Sequence, residues 1–273
     1  MSSITHEASN QAEPSILEAA AAQQSWSVEK VVQDEFPVVP KENSESPVPF
    51  FHMLERLKTT KREGWRRFGI ERRSLHRGES ISDHMYRMSL ITMFAPKSLS
   101  SKIDIAHCTK MALIHDMAEA LVGDITPVDN VPKTEKNRRE ATTMDYFTKN
   151  LLGRVNGGLT GEEIKKIWQE YEDSETLESK FVHDVDKVEL ILQMVEYERA
   201  DKNGLDLAEF SWVATKIVLP EVKAWADEIL AEREEFWAGR EHRVFSDLQK
   251  PDEKRVAQHD QYYGGKENKI AEV

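Results

Sequence analysis

Apolar residues recur at the spacing of a buried helical face along most of residues 46–239. The clearest case follows Ser179, where five apolar side chains share one side of a helix. They are Phe181, Val185, Val188, Leu192 and Val195. The same spacing predicts helices over residues 50–57, 103–121, 139–152, 160–171 and 221–239. The sequence shows no alternating strand pattern of useful length and no internal repeat, so it predicts an all-α fold.

Local signals mark where several of these helices begin and end. Ser80 and Asp83 have the spacing of a capping box, which predicts a helix from this point to Phe94, before Ala95 and Pro96. A long loop is expected between Val122 and Arg139, because glycine and proline interrupt the pattern there. Loops of this length inside a compact domain are usually functional.

Polar stretches without sustained apolar periodicity lie at both ends of the chain. Residues 1–45 are expected to form a mostly disordered acidic tail with one transient helix near residues 16–24. Residues 240–273 are expected to form a polar C-terminal tail. The remaining residues 46–239 have a comfortable size for one domain.

Composition and charge narrow the possible partners. No 18-residue apolar window exists, and neither a secretory signal nor a transit peptide is visible, so no membrane partner is expected. Cys108 is the single cysteine, which favours a reducing compartment: the cytoplasm, with the nucleus also open. The net charge is −12, although residues 54–77 carry nine Lys or Arg and only three acids. An acidic protein with one basic segment is a poor ligand for a nucleic-acid polymer, but that segment is able to attract a small anion.

The candidate chemistry lies in three apolar segments. His115 and Asp116 are adjacent inside the predicted helix 103–121, and Glu119 follows on an overlapping face. Burying an imidazole beside a carboxylate is costly unless a partner such as a divalent cation compensates both. His84 stands in the first turn of the capped helix, and Asp124 begins the long loop. Downstream, the run FVHDVDKVEL supplies Asp184 and Asp186.

Each of these residues also has an ordinary structural interpretation. A lone helical histidine is more often a satisfied core or surface residue, and a His-Asp pair occurs by chance in many proteins. His52, His76, His107, His183 and His242 are therefore interpreted as structural or surface residues. The ordered combination of histidines and carboxylates in apolar helices favours a mixed nitrogen and oxygen metal site.

Three strings, ESISDHMYRM, ALIHDMAEALVGDITPVDN and KFVHDVDKVELILQMVEYE, resemble the HD-domain phosphohydrolases, and within them the 5′-deoxynucleotidases. The resemblance covers about residues 48–237. It implies an all-helical HD domain, commonly a homodimer, that hydrolyses deoxyribonucleoside 5′-monophosphates to deoxyribonucleoside and phosphate. It also implies one or two divalent cations per subunit, such as Mn²⁺, Co²⁺ or Mg²⁺.

The resemblance assigns roles to individual positions. It implies that the primary metal ligands are His84, His115, Asp116 and Asp186. It implies that Glu119 and Asp124 act in catalysis and help hold a second metal, with Ile125 contributing its backbone carbonyl.

The resemblance also places substrate contacts in the basic segment. Arg62 is expected to contact the phosphate beside Trp65 on the sugar, with Arg66 as a competitor for the role of Arg62. Two alternatives stay open from sequence. One is an HD phosphohydrolase acting on nucleoside triphosphates or phosphodiesters, for which Lys133, Lys136, Arg138 and Arg139 would supply cations. The other is an HD-fold binding protein without turnover.

Overall fold

The computed structural model describes residues 26–70, 78–127, 129 and 131–240. Within these ranges the chain forms eleven α-helices and no β-strand, which confirms the predicted all-α fold. The helices are α1 (Val28–Glu35), α2 (Val48–Thr59), α3 (Glu63–Arg67), α4 (Ile81–Thr92), α5 (Lys97–Ser100), α6 (Ile105–Ile114), α7 (Glu119–Val122), α8 (Lys133–Asp145), α9 (Leu159–Asp173), α10 (Leu177–Ala200) and α11 (Pro220–Trp237). A π-helical turn (Tyr146–Leu151) continues α8, and 3₁₀ helices span Val155–Gly158 and Ala208–Lys216.

The long helix α10 runs through the centre of the domain and packs against α4, α6, α9 and α11. Four members of its predicted apolar face are buried, and Leu192 is half-buried. Helices α4 and α6 form the most extensive pair. Because these three helices also carry candidate ligands, the core fixes the candidate site. None of the helices in the described ranges is long and apolar enough to cross a membrane.

The predicted capping box at the start of α4 is confirmed. The Ser80 hydroxyl accepts a hydrogen bond from the backbone N–H of Asp83 (3.2 Å), and the Asp83 carboxylate accepts one from the backbone N–H of Ser80 (2.9 Å). This reciprocal pair satisfies N–H groups that have no partner inside the helix. It fixes the first turn of α4, where His84 lies.

Two predicted boundaries differ from the structure. The helix expected over residues 103–121 is broken, because α6 ends at Ile114 and a tight turn precedes α7. The loop expected from Val122 to Arg139 is shorter, because α8 begins at Lys133 directly after Pro132. The first turns of α8 are polar, and ion pairs of Glu135 with two following arginines stabilise them. A search for apolar periodicity does not detect such ion pairs, so it places the start of this helix too late.

The N-terminal boundary also differs from the predicted one. Residues 26–45, assigned to a disordered tail, include α1, whose Ser27 side chain caps the helix. Val28 and Val32 are buried against the domain, so the ordered chain includes residues well before position 46. Two valines four residues apart in a polar setting are too weak a periodic signal to predict this helix. The transient helix near residues 16–24 and the tail from 241 lie outside the described residues.

Candidate metal centre

Two histidines and two carboxylates converge between α4, the end of α6 and α10. The Nε2 atom of His84 lies 3.1 Å from Asp186 Oδ1 and 3.9 Å from Asp116 Oδ2. The Nε2 atom of His115 lies 3.2 Å from Asp116 Oδ2. His84, His115 and Asp186 each offer one ligand atom, and these three atoms lie within 4.8 Å of one another. The structure therefore brings the four sequence-predicted primary ligands together.

The hydrogen bonds of the two imidazoles fit metal binding. His84 Nδ1 lies 2.6 Å from Glu189 Oε2, and His115 Nδ1 lies 2.9 Å from the carbonyl oxygen of Ala112. Both Nε2 atoms are buried and make no hydrogen bond. Buried polar atoms without a partner are rare, and each requires an explanation. Two such nitrogens beside two carboxylates form a donor set that suits a divalent cation with mixed nitrogen and oxygen ligands.

The two aspartates of α10 have different environments. Asp184 accepts hydrogen bonds from the backbone N–H groups of Val218 (3.1 Å) and Leu219 (2.7 Å), immediately before α11. Asp186 lies two residues further on, and its carboxylate is beside His84. Residues two apart on a helix point to different sides. The geometry therefore places Asp186, rather than Asp184, beside His84, and its function as a metal ligand stays a prediction.

Arg62 lies at the carboxylates of this site. Its Nη1 atom donates to Asp116 Oδ2 at 3.1 Å, and its Nη2 atom lies 3.9 Å from Asp186 Oδ1. Burial alone would raise the pKa of Asp116, but His115 and Arg62 hold it well below its usual range. Arg66, the competing candidate, is exposed and forms a two-point ion pair with Glu63. Of the two arginines, only Arg62 contacts these carboxylates.

Helix α7 and the following loop supply the remaining acids. Glu119 is buried with its Oε2 atom unpaired, and burial together with Asp116 and Asp124 raises the pKa of this carboxyl. Gly123 ends α7 at φ 76°, a conformation that favours glycine and turns the chain back toward the site. Asp124 Oδ2 then accepts a hydrogen bond from the Glu63 backbone N–H at 2.6 Å, and Ile125 follows as a buried residue.

Trp65 is placed differently from its expected role at the sugar. Its side chain is only 3% exposed and packs against Tyr197 and Phe210. Its indole N–H donates to Glu79 Oε2 at 2.8 Å. The side chain is therefore almost entirely enclosed by the core.

The sequence reasoning missed a buried carboxylate network behind His84. Glu189 is fully buried and also accepts a hydrogen bond from Arg87 Nε at 2.7 Å. Burial alone would raise the pKa of Glu189, but His84 and Arg87 lower it to about 2. Burial and Glu189 raise the pKa of Glu79 to about 8. The available signal was a glutamate three residues after Asp186 inside an apolar helix.

Comparisons with known proteins identify the family of this chain. A family model described as the HD domain matches residues 54–225. The 5′-deoxynucleotidase hdd1 of Schizosaccharomyces pombe is 48% identical over 193 residues, covering 71% of this chain and 93% of that protein. The human 5′-deoxynucleotidase HDDC2 is 38% identical over 189 residues, covering 69% of this chain and 86% of that protein.

A solved structure extends the likeness to the fold. The HD domain-containing protein YGK1 superimposes with a TM-score of 0.57 at 29% identity, covering 78% of this chain and all of that chain. Its Saccharomyces cerevisiae sequence carries the name 5′-deoxynucleotidase YGK1 and is 38% identical over 200 residues, which cover 73% of this chain and 89% of that protein. With the converging histidines and aspartates, these likenesses show that the chain belongs to the HD-domain family, among relatives named 5′-deoxynucleotidases.

Proposed function

We propose that this protein is a metal-dependent 5′-deoxynucleotidase, which hydrolyses deoxyribonucleoside 5′-monophosphates to deoxyribonucleoside and phosphate. The observation that carries the proposal is the convergence of the buried Nε2 atoms of His84 and His115 on the carboxylates of Asp116 and Asp186. The relatives named 5′-deoxynucleotidases supply the substrate class. One or two divalent ions per subunit are proposed, with Mn²⁺, Co²⁺ and Mg²⁺ as candidates.

The four converging side chains would hold the primary metal, and Glu119, Asp124 and the Ile125 carbonyl would help hold a second. A divalent cation in this position supplies positive charge to the phosphate oxygens and makes a nearby water more acidic. Without such help a doubly charged phosphomonoester repels an anionic nucleophile. The site's two histidines and several carboxylates thus match the demands of this reaction.

Two acids are candidates for proton transfer. Glu119 has a raised pKa and an unpaired oxygen, which suits a group that accepts a proton from the attacking water. Asp124 is hydrogen-bonded to the start of α3, and it is proposed to deliver a proton to the departing 5′ oxygen. The reverse assignment of these two roles stays open.

Arg62 is proposed to bind the substrate phosphate. Its guanidinium is mostly buried and lies beside two of the proposed metal ligands, so a phosphate near the metal would lie within its reach. A planar guanidinium is able to contact two phosphate oxygens at once. The proposed sugar contact of Trp65 would be limited to a ring edge, because only 3% of this residue is exposed.

Two of the four loop cations are paired outside the candidate site. Arg138 and Arg139 both pair with Glu135, and both stack over the Trp26 ring. They are therefore occupied away from the acids of the site. Lys136 lies 3.4 Å from Glu140, and its charge also acts on Glu119, so a triphosphate stays the alternative that the phosphate-release assay tests.

We also propose a homodimer that forms through the outward face of α4 and its C-terminal turn. Tyr86, Met93 and Phe94 are 62%, 56% and 74% exposed there, and Leu90 lies between them. At about 150–250 Å² per aromatic side chain, Tyr86 and Phe94 expose roughly 200–340 Å². This is a large part of the ~800 Å² that each partner contributes to a standard interface.

A second copy is the favoured occupant because a two-fold axis brings like residues together, which apolar side chains tolerate and charges do not. Light scattering should show a dimer for the wild type and a monomer for Phe94→Glu. Leu159→Glu, which changes another exposed apolar residue, should remain dimeric. A monomeric wild type would contradict the proposal, and so would a dimeric Phe94→Glu.

The function is tested by phosphate release from a panel of nucleoside monophosphates and triphosphates, with Mn²⁺, Co²⁺, Mg²⁺ or a chelator. We expect inorganic phosphate from deoxyribonucleoside monophosphates, loss of activity with chelator, and no turnover by Asp186→Ala. Triphosphate released from a nucleoside triphosphate would support the alternative hydrolase. Absence of both turnover and bound metal would support a binding protein. A location in the cytoplasm, with the nucleus as a second compartment, stays a prediction for cell fractionation.

A further inference from the structure

The segment of residues 26–36 lies against both elements that flank the loop carrying Asp124. Helix α1 packs on α7, which precedes this loop, and on α8, which follows it. Val28 and Val32 are the buried residues of α1. The Trp26 ring lies under the guanidinium groups of Arg138 (5.7 Å) and Arg139 (5.5 Å) in α8. One short segment thus contacts both helices that flank the loop.

A second connection runs from the end of this segment to the backbone of α7. The Nε atom of Arg56, in α2, donates a hydrogen bond to the carbonyl oxygen of Ala120 at 2.6 Å. The same guanidinium pairs with Glu35, the last residue of α1, and lies 5.2 Å from the ring centre of Phe36. Ala120 is the residue directly after Glu119. Glu35 and Phe36 therefore hold the arginine that binds next to the proposed proton acceptor.

Helix α7 needs such external support because it is a single turn of four residues. Isolated helices of this length are unstable, so their position depends on packing and on hydrogen bonds from outside. The turn that leads into it is tightly bonded: the Glu119 N–H donates to the Asp116 carbonyl (3.0 Å) and the Ala120 N–H to the Met117 carbonyl (3.3 Å). The N–H groups of Val122 and Gly123 make α-type bonds to the carbonyls of Ala118 and Glu119. A displacement of about 1 Å of a catalytic group is able to cost ~10²-fold in rate.

We propose that residues 26–36 form an N-terminal clamp that positions Glu119 and Asp124 for catalysis. The clamp touches no substrate and acts through α7 and α8, so its members are positioning residues. It lies before residue 54, where the match to the HD-domain model begins. The proposal rests on the proposed function, because it assigns a role in the same reaction.

The clamp makes a specific kinetic prediction. The primary ligands lie on α4, at the end of α6 and on α10, whereas the clamp contacts α7 and α8. Loosening the clamp should therefore reduce kcat by about 10- to 100-fold. The Kd for Mn²⁺ at the primary site should stay within about twofold, because no clamp residue contacts a primary ligand. General destabilisation would instead lower both together.

The test uses the full chain with Trp26→Ala, a change within the clamp, and Arg56→Met, which removes the arginine that Glu35 and Phe36 of the clamp hold. These two clamp variants are measured separately. The control is Phe236→Ala, which removes a comparable cation–π contact with Arg240 near the end of α11. Readouts are kcat and KM for a deoxyribonucleoside monophosphate, Mn²⁺ affinity by titration calorimetry, and the thermal midpoint. We expect lower kcat in the two clamp variants with Mn²⁺ affinity retained, and unchanged kcat in the control. Unchanged kcat in both clamp variants would overturn the proposal, as would a parallel loss of kcat and Mn²⁺ binding.

Hydrogen exchange separates the clamp from the proposed function. In both clamp variants the amides of residues 119–126 should exchange faster than in the wild type, while those of α10 should not change. This readout needs no substrate. If the wild type releases no phosphate, the proposed function fails. Faster exchange at residues 119–126 in the clamp variants would still show that the clamp stabilises this segment. Unchanged exchange there overturns the clamp whatever the activity.

Discussion

Replacing Trp65 distinguishes a core residue from a sugar-binding one. The side chain is 3% exposed and packs against Tyr197 and Phe210 with ring centroids 5.4 Å and 4.6 Å away. Truncating a buried tryptophan to alanine costs about 3–5 kcal/mol of unfolding free energy. The variant also leaves the buried Glu79 oxygen without its indole donor, which costs about 1–3 kcal/mol more.

These values predict a loss of roughly 4–8 kcal/mol for Trp65→Ala, a large part of the stability of an ordinary domain. Trp65→Phe is the informative variant, because it keeps an aromatic ring in the cluster and removes the hydrogen bond to Glu79. We expect it to lower the urea midpoint by an intermediate amount. Glu79→Gln is the matched control, because its amide oxygen still accepts from the indole.

The assay combines urea unfolding with kcat/KM for dAMP and for AMP. If Trp65 serves the core, Trp65→Phe loses stability and keeps the wild-type ratio between the two substrates. If a ring face instead excludes the 2′-hydroxyl, the ratio falls while stability changes little. A hydroxyl buried without a partner costs about 1–3 kcal/mol, so the change in ratio would be five- to more than a hundredfold. That second result would refute the placement of Trp65 in the core.

Three further outcomes are expected. Asp186→Ala should abolish Mn²⁺ binding and turnover, whereas Asp184→Ala should lower the thermal midpoint and keep the metal; full metal occupancy in Asp186→Ala would contradict the ligand assignment. Glu119→Ala should lower kcat by about 10²–10⁴-fold with most of the primary metal retained; equal losses of metal and activity would make Glu119 a required ligand. Burial raises the pKa of Glu140 to about 7, so the folded state keeps a proton that the unfolded chain releases above about pH 4.3. The free energy of unfolding therefore falls as pH rises through this range. Glu140→Gln should raise the thermal midpoint at pH 8 and change it little at pH 4, and equal shifts at both values would exclude titration of Glu140 as the cause.

Features of the fold that depend on residues close together in the sequence were predictable. The capping box of Ser80 and Asp83 is a local pattern, and the buried face of α10 is long enough to be recognised from its period. The break after Ile114 was not predictable, because apolar periodicity continues across it while the backbone changes to tighter bonding. Helix α1 was missed because it has only two buried residues, Val28 and Val32, which are too few to form a recognisable apolar period.

The part of the candidate site that could be predicted consists of residues that follow one another along the sequence in the order of a known motif. His84, His115, Asp116 and Asp186 are brought together by the structure, although their function as ligands stays a proposal. Glu189 was missed because its partner His84 is 105 residues away. Nothing local in the sequence indicates that Trp65 donates to Glu79, 14 residues later, instead of exposing its ring.

One turn of α10 holds both the anchor of α11 and a proposed metal ligand. Asp184 fixes the backbone at Val218 and Leu219, and Asp186 lies at the metal centre two residues later. Local opening of α11 should therefore disturb the geometry of the centre, and binding of a metal should oppose that opening. The amide protons of Val218 and Leu219 should then exchange more slowly when Mn²⁺ is added, although neither residue contacts the ion. Helix α11 would report, through the exchange rates of the residues that precede it, whether the centre holds a metal.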